Sequence, residues 1–474
     1  MKGRVEKYLY SDQNIFHAVY ATRESIQEKF ILEKGDKDKL YELYDVFDEV
    51  NIRDTIRMVK ERLEEVLEKD KYFQAKVYFI PKSIKEKKAE TAGTEKKYER
   101  KYRPMHTAGL IDQICMTAML NCIITEEFNT DEWNIGGIEK IIPANFYGNI
   151  LSEIPDRVYK KWQPQYSEYT QKASELQKKY SDSREYQYEI SVDITDFFPS
   201  INPYYIICYI MNRLPVRLES SDRQAILNIL TKLLFIKLDT TNLHNSEFLK
   251  IYYSGHVPPK SQQFVRGVAQ GLIPGYFFAN IFMIEVSKVY KKVFEGKQLF
   301  YVDDTVIFSN KLRGENNLLD AFDKIIQDVN ADIEKFINRE IEKEPHFIKK
   351  EMREFTDLQE YKVLIHSPKE EDSKTTYIDL GKLSRGELFL GNLGRMTSMV
   401  AVDLNTDFNS DEMVMLEQRL KIIVDQIEKE LNSIADILNN EIDDKFVRES
   451  FTNYKKRLLR YKKYFKYRYF LLQY

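Results

Sequence analysis

Asp303 and Asp304 stand side by side between two short apolar runs, Leu299 to Val302 and Val306 to Phe308. The runs are β-branched and aromatic, so they predict the two strands of a tight hairpin with the acids at its bend. Two carboxylates at close range in so apolar a setting resist joint ionisation, and a divalent cation removes that cost. An Asp-Asp turn in an ordinary hairpin is the plain alternative for the dipeptide alone. A third acid upstream shifts the balance. Tyr186 to Ile194 alternates towards Asp193, which predicts a strand whose last side chain leaves the sheet at its end. If the two strands are neighbours in one antiparallel sheet, Asp193 and Asp303 can meet. Carboxylates from separate strands that hold two Mg2+ ions about 4 Å apart form the arrangement that phosphoryl and nucleotidyl transfer need. One ion lowers the pKa of an attacking 3′-hydroxyl; the other binds the triphosphate and the leaving pyrophosphate. Mg2+ prefers oxygen ligands and keeps its waters, so a carboxylate pair without His or Cys suits it, with Mn2+ as a substitute.

A third landmark lies between the acids. Gly267 to Gly275 is glycine-rich and runs into an apolar helix, Tyr276 to Val289. Glycine before a helix lets backbone approach a ligand closely, and the helix N-terminus favours an anion. Alone that signal is weak. The order strand-Asp, Gln-Gly loop with helix, then Asp-Asp hairpin is what gives it weight.

The elements that position these landmarks can be read along the chain. Residues 1–70 have helical periodicity, first at Leu40, Leu43, Phe47 and Val50, then at Ile56, Val59, Leu63 and Val66. Their surface is acidic, which predicts a packing extension rather than a nucleic-acid arm. Lys76 to Ile80 predicts a strand that ends at Pro81-Lys82. Ser83 to Lys101 lacks apolar periodicity and predicts a hairpin tip or loop. From Lys82 to Arg103 there are nine Lys or Arg against four Glu, so this stretch is either a solvated face or a cationic finger that meets phosphates. A helix follows Asp112-Gln113, and a loop carries Trp133 and Gly136-Gly137. Tyr159, Trp162, Tyr166 and Tyr169 mark one aromatic face of a helix within 155–180, expected to be core. Phe198 and its neighbours form a turn before a helix from Tyr204 to Asn212. A helix over 317–342 and short strands near Tyr361–His366 and Thr375–Leu380 complete the middle of the chain. Met413 to Leu438 carries one apolar stripe behind a Ser410-Asp411 N-cap. Phe451 to Tyr474 holds eight Lys or Arg, nine Tyr or Phe and no acid. This tail is a packing helix, a nucleic-acid contact, or both.

At 474 residues the chain has room for two or three domains. The net charge of −3 gives no global attraction to nucleic acid, so any such binding must come from local basic patches. Cys115, Cys122 and Cys208 have apolar surroundings and no CxxC spacing, which predicts buried thiols in a reducing, cytoplasmic compartment. Met1 to Tyr20 is polar and mixed in charge, and no apolar run approaches the roughly 18 residues of a span, so neither a signal peptide nor a membrane helix is expected.

Phe300 to Asp304, Phe-Tyr-Val-Asp-Asp, resembles the YxDD signature of reverse transcriptases. Asp193 to Ile201 resembles the DIxxFFPSI form of their first catalytic motif in bacteria. Gln270-Gly271 with Asn280 resembles their QGxPxSxxxxN motif, and Arg103-Pro104-Met105 with Asp112-Gln113-Ile114 resembles the RPLxIPxxxDRIV stretch of the fingers. The resemblance covers about residues 100 to 310. It implies an α+β right-hand polymerase, with fingers and a palm built on an antiparallel sheet, a helical N-terminal extension and an α-helical thumb-like C-terminal domain. The expected boundaries are 1–70 for the extension, 71–185 for the fingers, 186–400 for the palm and 401–474 for the thumb-like domain. Asp193 and Asp303 would bind the metals with Asp304 in support, and Ile194 would offer its backbone carbonyl. Phe198 falls at the aromatic gate against a 2′-hydroxyl. Gln270 and Gly271 would line the nucleotide site, Arg103 would contact the triphosphate, and Lys82 is a weaker candidate for the same task. Tyr301 would border the primer end, and Arg457, Arg460 and Lys463 of the basic tail would touch nucleic acid. Implied partners are dNTPs, an RNA template or non-coding RNA, the DNA product and a second copy of the chain, with no membrane.

The chain also departs from the pattern. Pro274 is one place late, Gly275 replaces a serine, and Tyr147-Gly148-Asn149-Ile150 lacks the arginine of the usual YGxR. These changes resemble the loosened motifs of antiphage reverse transcriptases, the abortive-infection and defence-associated groups. The long N-terminal region and the absence of an expected maturase, HNH zinc or RNase H region after the thumb point the same way. That group implies untemplated or protein-primed synthesis, with Tyr464, Tyr467, Tyr469 and Tyr474 as candidate primers. A retron-like or group II intron-derived enzyme, or a catalytically idle scaffold for RNA or protein, are the alternatives.

Overall fold

The structure, a computed structural model, describes residues 3–33, 51–87, 97–124, 142–152, 157–214, 218–241, 252, 264–310, 315–343, 363–365, 375–383, 385–399, 410–439 and 445–472. The expected features at Leu40, Leu43, Phe47, Val50, Trp133, Gly136, Gly137, Tyr361, His366 and Tyr474 lie outside the described residues. The strands are β1 (Gln74–Lys87), β2 (Lys97–Thr107), β3 (Tyr188–Val192), β4 (Ile194–Thr195) and β5 (Lys237–Asp239). They continue with β6 (Lys297–Tyr301), β7 (Asp304–Ser309), β8 (Leu364–Ile365) and β9 (Thr376–Asp379).

Three helices, Arg4–Leu9, Asp12–Glu33 and Ile52–Leu67, lead the chain. The last buries Thr55, Val59, Leu63 and Val66, a stripe at helical spacing. It packs with the helix Leu110–Ile124, whose residues are buried nearly all round. Polar ties fix the leading helices to it: Asn14 Nδ2 of Asp12–Glu33 donates to the Ala118 carbonyl at 3.1 Å, and Arg62 of Ile52–Leu67 pairs with Asp112 at 2.7 Å. The N-terminal region therefore shares one apolar core with the middle of the chain, as an extension that packs must.

β1 and β2 form a long antiparallel hairpin that reaches from Lys76 opposite Thr107 to Lys87 opposite Lys97, and β5 lies parallel on the other edge of β1. Of the hairpin tip or loop expected over Ser83 to Lys101, the two ends are strand, residues 83–87 and 97–101, and residues 88–96 lie outside the described residues. The strand continues past Pro81 with a register shift between Pro81 and Ser83. Proline lacks the ladder donor, so the ladder breaks there and resumes. Backbone pairing in a two-stranded arm requires no apolar periodicity, so periodicity could not reveal it.

The central sheet has the order β6-β7-β3-β9, and its neighbouring strands run antiparallel. Leu299, Val306 and Phe308 meet Tyr169, Ala173, Leu176 and Tyr180 of the helix Trp162–Ser183, so Tyr166 and Tyr169 face core as expected, whereas Tyr159 precedes the helix and bridges Leu151. The helix Ile273–Phe294 joins the main core. A separate core gathers the helices Arg385–Met399, Ser410–Asn439 and Lys445–Leu472 around Leu393, Leu420, Ile427, Leu458 and Phe465. Arg395 ties it to the sheet by pairing with the buried carboxylate of Glu189 on β3 and donating to Gln177 Oε1 at 3.2 Å. Burial still pushes the Glu189 carboxyl up, against the pull of Arg395. Cys115, Cys122 and Cys208 are buried and free. No helix among the described residues is long and apolar enough to cross a membrane.

Phe465 is fully buried in the C-terminal core. Phe465→Ala is expected to destabilise that helical unit by about 3–5 kcal/mol, read as an earlier transition in urea unfolding followed by circular dichroism.

Candidate active site

The β3–β7 ladder closes with Val192 opposite Thr305. Asp193 is the next residue, 8% exposed, and its backbone N–H donates to the buried Thr375 Oγ1 at 3.0 Å. The chain then leaves the sheet, with Ile194 in β4 opposite Ile365 of β8. In the hairpin Tyr301 pairs with Asp304, so Val302 and Asp303 make a two-residue turn. Val302 has φ +55°, an unfavourable conformation for a β-branched residue that persists only where the surroundings impose it. Those surroundings include Gly148. A Cβ there would lie 2.7 Å from Val302 Cγ2 and 2.9 Å from its backbone nitrogen, so glycine is required for this approach. The fully buried Asn280 anchors the same segment, its Nδ2 donating to the Gly148 carbonyl at 2.8 Å and to the Asn149 carbonyl at 3.2 Å.

Tyr290 lies beneath the turn. It is fully buried, and its hydroxyl has no hydrogen-bond partner among the described residues. Burial raises its pKa, and the charges of Asp303 and Asp193 raise it further. Asp193 follows the last β3–β7 pair and Asp303 lies in the β6–β7 turn, so the two acids reach the same end of one sheet from separate strands. Asp304 acts elsewhere: after burial, it is the leading charge raising the Tyr169 pKa, and it also raises that of Tyr301. Adjacent residues at a strand end project to different sides, so the acidic pair is divided. Among the described residues no three His, Cys, Asp or Glu side chains gather as a metal cluster. Two carboxylates without nitrogen or sulfur donors fit a hard cation that keeps much of its water, as Mg2+ does.

The Gln270-Gly271 loop is set against β2. Gly271 has φ +105°, and a Cβ there would stand 2.6 Å from the His106 carbonyl oxygen. Residues 140–336, which include both acids, this loop and the helix behind it, match the family model described as reverse transcriptase (RNA-dependent DNA polymerase). The chain carries a reverse transcriptase domain. It is a nucleotidyltransferase, and its domain implies binding of nucleotides and a nucleic-acid template. No curated protein matches the chain.

Around this reverse transcriptase domain the other expected residues fall as follows. Phe198 is buried in the short helix Phe197–Ser200, its ring edge-on to Tyr276 at 6.1 Å. Its carbonyl accepts from the Val268 N–H at 3.0 Å, tying it to the glycine-rich loop. Arg103 is exposed on β2 opposite Ile80. It shares a strand face with Met105, whose Cε lies 3.4 Å from where a Gly271 Cβ would stand. Lys82 lies in β1 at the register shift. Tyr301 packs edge-on to Tyr166 at 4.8 Å and against Tyr169 at 5.7 Å, a tyrosine cluster beside the turn. Arg457, Arg460 and Lys463 are exposed on the helix Lys445–Leu472. On the same helix the Tyr464 hydroxyl donates to the Thr397 carbonyl at 2.9 Å, whereas Tyr467 is 59% exposed.

Sequence reasoning missed Tyr290 and Thr375. Tyr290 reads as one more apolar helix residue, and Thr375 precedes a short strand with no distinguishing pattern. Asn280→Ala removes both donations to the 148–149 carbonyls and is expected to cost about 1–3 kcal/mol, measured by thermal unfolding, with polymerisation falling in parallel as the turn loosens.

Proposed function

We propose that the chain is an RNA-directed DNA polymerase of the antiphage type, in which Asp193 and Asp303 hold divalent Mg2+ with Asp304 and the Ile194 carbonyl in support. The observation that carries this reading is the strand register: Asp193 follows the last pair of the β3–β7 ladder and Asp303 lies in the β6–β7 turn, so both acids stand at one end of the same sheet. When bound, the ions supply activation of the 3′-hydroxyl and neutralisation of the triphosphate charge. Phe198 occludes the space a 2′-hydroxyl would need. Gln270 and Gly271 line the nucleotide, and Arg103, with Lys82, meets the triphosphate. Tyr301 borders the primer end. Arg457, Arg460 and Lys463 meet nucleic-acid backbone, which makes that contribution salt-dependent.

Assignment to the defence-associated group is supported by Gly275 and by the missing arginine after Tyr147-Gly148. In the fold, a Cβ at Gly275 would collide with the Ala269 carbonyl, so the serine of the usual pattern does not fit this loop. Purified protein with Mg2+ and each dNTP, with and without co-purified RNA, is expected to make DNA. Asp303→Ala and Asp193→Ala each abolish it, and equal yields from wild type and variants would overturn the reading. Sequencing the product separates templated from untemplated synthesis, and protease sensitivity of its 5′ end reveals a tyrosine primer. Phage plating on cells that carry wild type or Asp303→Ala tests the defensive role. Phe198→Ala is expected to admit ribonucleotides, lowering dNTP-over-rNTP discrimination by at least about tenfold in kcat/KM.

A further inference from the structure

We propose that His106 is a positioning residue for the incoming nucleotide, gripping the Gln270 carbonyl at two points so that the Gln270-Gly271 loop keeps one geometry against β2. The inference rests on the reading of Gln270 and Gly271 as nucleotide-site residues.

His106 stands on β2 opposite Val77 and is 3% exposed. Its backbone N–H donates to the Gln270 carbonyl at 2.8 Å, and its ring Nδ1 lies 3.0 Å from the same oxygen. A carbonyl only accepts, so Nδ1 carries a proton. In the neutral ring Nε2 is then the acceptor, and the Tyr252 hydroxyl donates to it at 2.8 Å. The Tyr252 oxygen in turn accepts the Arg266 backbone N–H at 3.0 Å. Every donor thus faces an acceptor in one continuous sense, from Arg266 through Tyr252 and His106 to Gln270. Both ends of the relay lie on the same loop, at residues 266 and 270. One imidazole therefore spans the loop and fixes its spacing from the strand that carries Arg103. The close approach of Gly271 to the His106 backbone brings the loop to the same spot. The two groups read as nucleotide contacts, Arg103 on β2 and Gln270-Gly271 on the loop, are thereby held in one register. Such preorganisation is expressed in nucleotide affinity rather than in the chemical step.

The test compares wild type, H106L, H106N and Y252F in single-nucleotide incorporation and in equilibrium titration with a dNTP and Mg2+. H106L is expected to raise both the KM and the Kd for dNTP about tenfold, the effect of one lost buried hydrogen bond, with kcat within about twofold. H106N retains a donor at the δ position and is expected to recover most of that affinity. Y252F in the H106N background is expected to cost less than Y252F in wild type, because the ε acceptor is already gone and only the Arg266 N–H loses its partner. H106L with wild-type dNTP affinity, or a loss that H106N does not recover, overturns the proposal. If H106L does not fold, the H106N and Y252F pair still decides, since additive effects would overturn the relay. Gln270→Ala run alongside separates the two readings. Unchanged dNTP affinity in Gln270→Ala sinks the nucleotide-site reading itself. Weakened affinity there with indifferent His106 variants sinks only the positioning role.

Discussion

The β3–β7 ladder and the β6–β7 turn carry Asp193 and Asp303 to the same end of one sheet, and that sheet packs on an apolar core. Phe300 is stacked between Phe146, 4.7 Å away, and Tyr290, 6.3 Å away, and the β3–β7 ladder lies beside this stack. The turn that carries Asp303 is therefore set on backbone that this apolar layer packs.

The same logic extends outward from the turn. Val302 holds an unfavourable backbone angle because Gly148 closes over it and Asn280 braces the closing segment. Asn280 belongs to the helix that begins just after the Gln270-Gly271 loop, and that loop is held to β2 through the His106 backbone. The Gln270-Gly271 loop, the acidic turn and the β1–β2 hairpin therefore form one connected unit. The C-terminal core joins it through the pairing of Arg395 with Glu189 of β3, the strand that leads into Asp193. A buried pair of this kind is costly to break because it leaves an uncompensated charge behind, so the junction is fixed in place even where it adds little net stability.

Much of this was legible before any coordinates. The strand into Asp193, the Asp-Asp hairpin, the helix after the glycine-rich loop and the aromatic stripe at Tyr166 and Tyr169 all follow from side-chain period, and the structure has them as expected. The β1–β2 arm was not legible beyond Pro81, because its ladder is made by backbone groups that every residue type carries.

Residue types and their local order suffice to name the chemistry: acids at strand ends, a Gln-Gly loop before an apolar helix, and basic and aromatic residues in the tail. They fall short wherever a role depends on residues remote in sequence. That Asp193 and Asp303 arrive at the same end of one sheet is set by the register of the β3–β7 ladder. That Thr375 meets the Asp193 backbone, and that His106 grips Gln270, are products of packing between distant segments. Such contacts leave no periodic trace, since each is made once, by one side chain, across a gap that only the folded backbone closes.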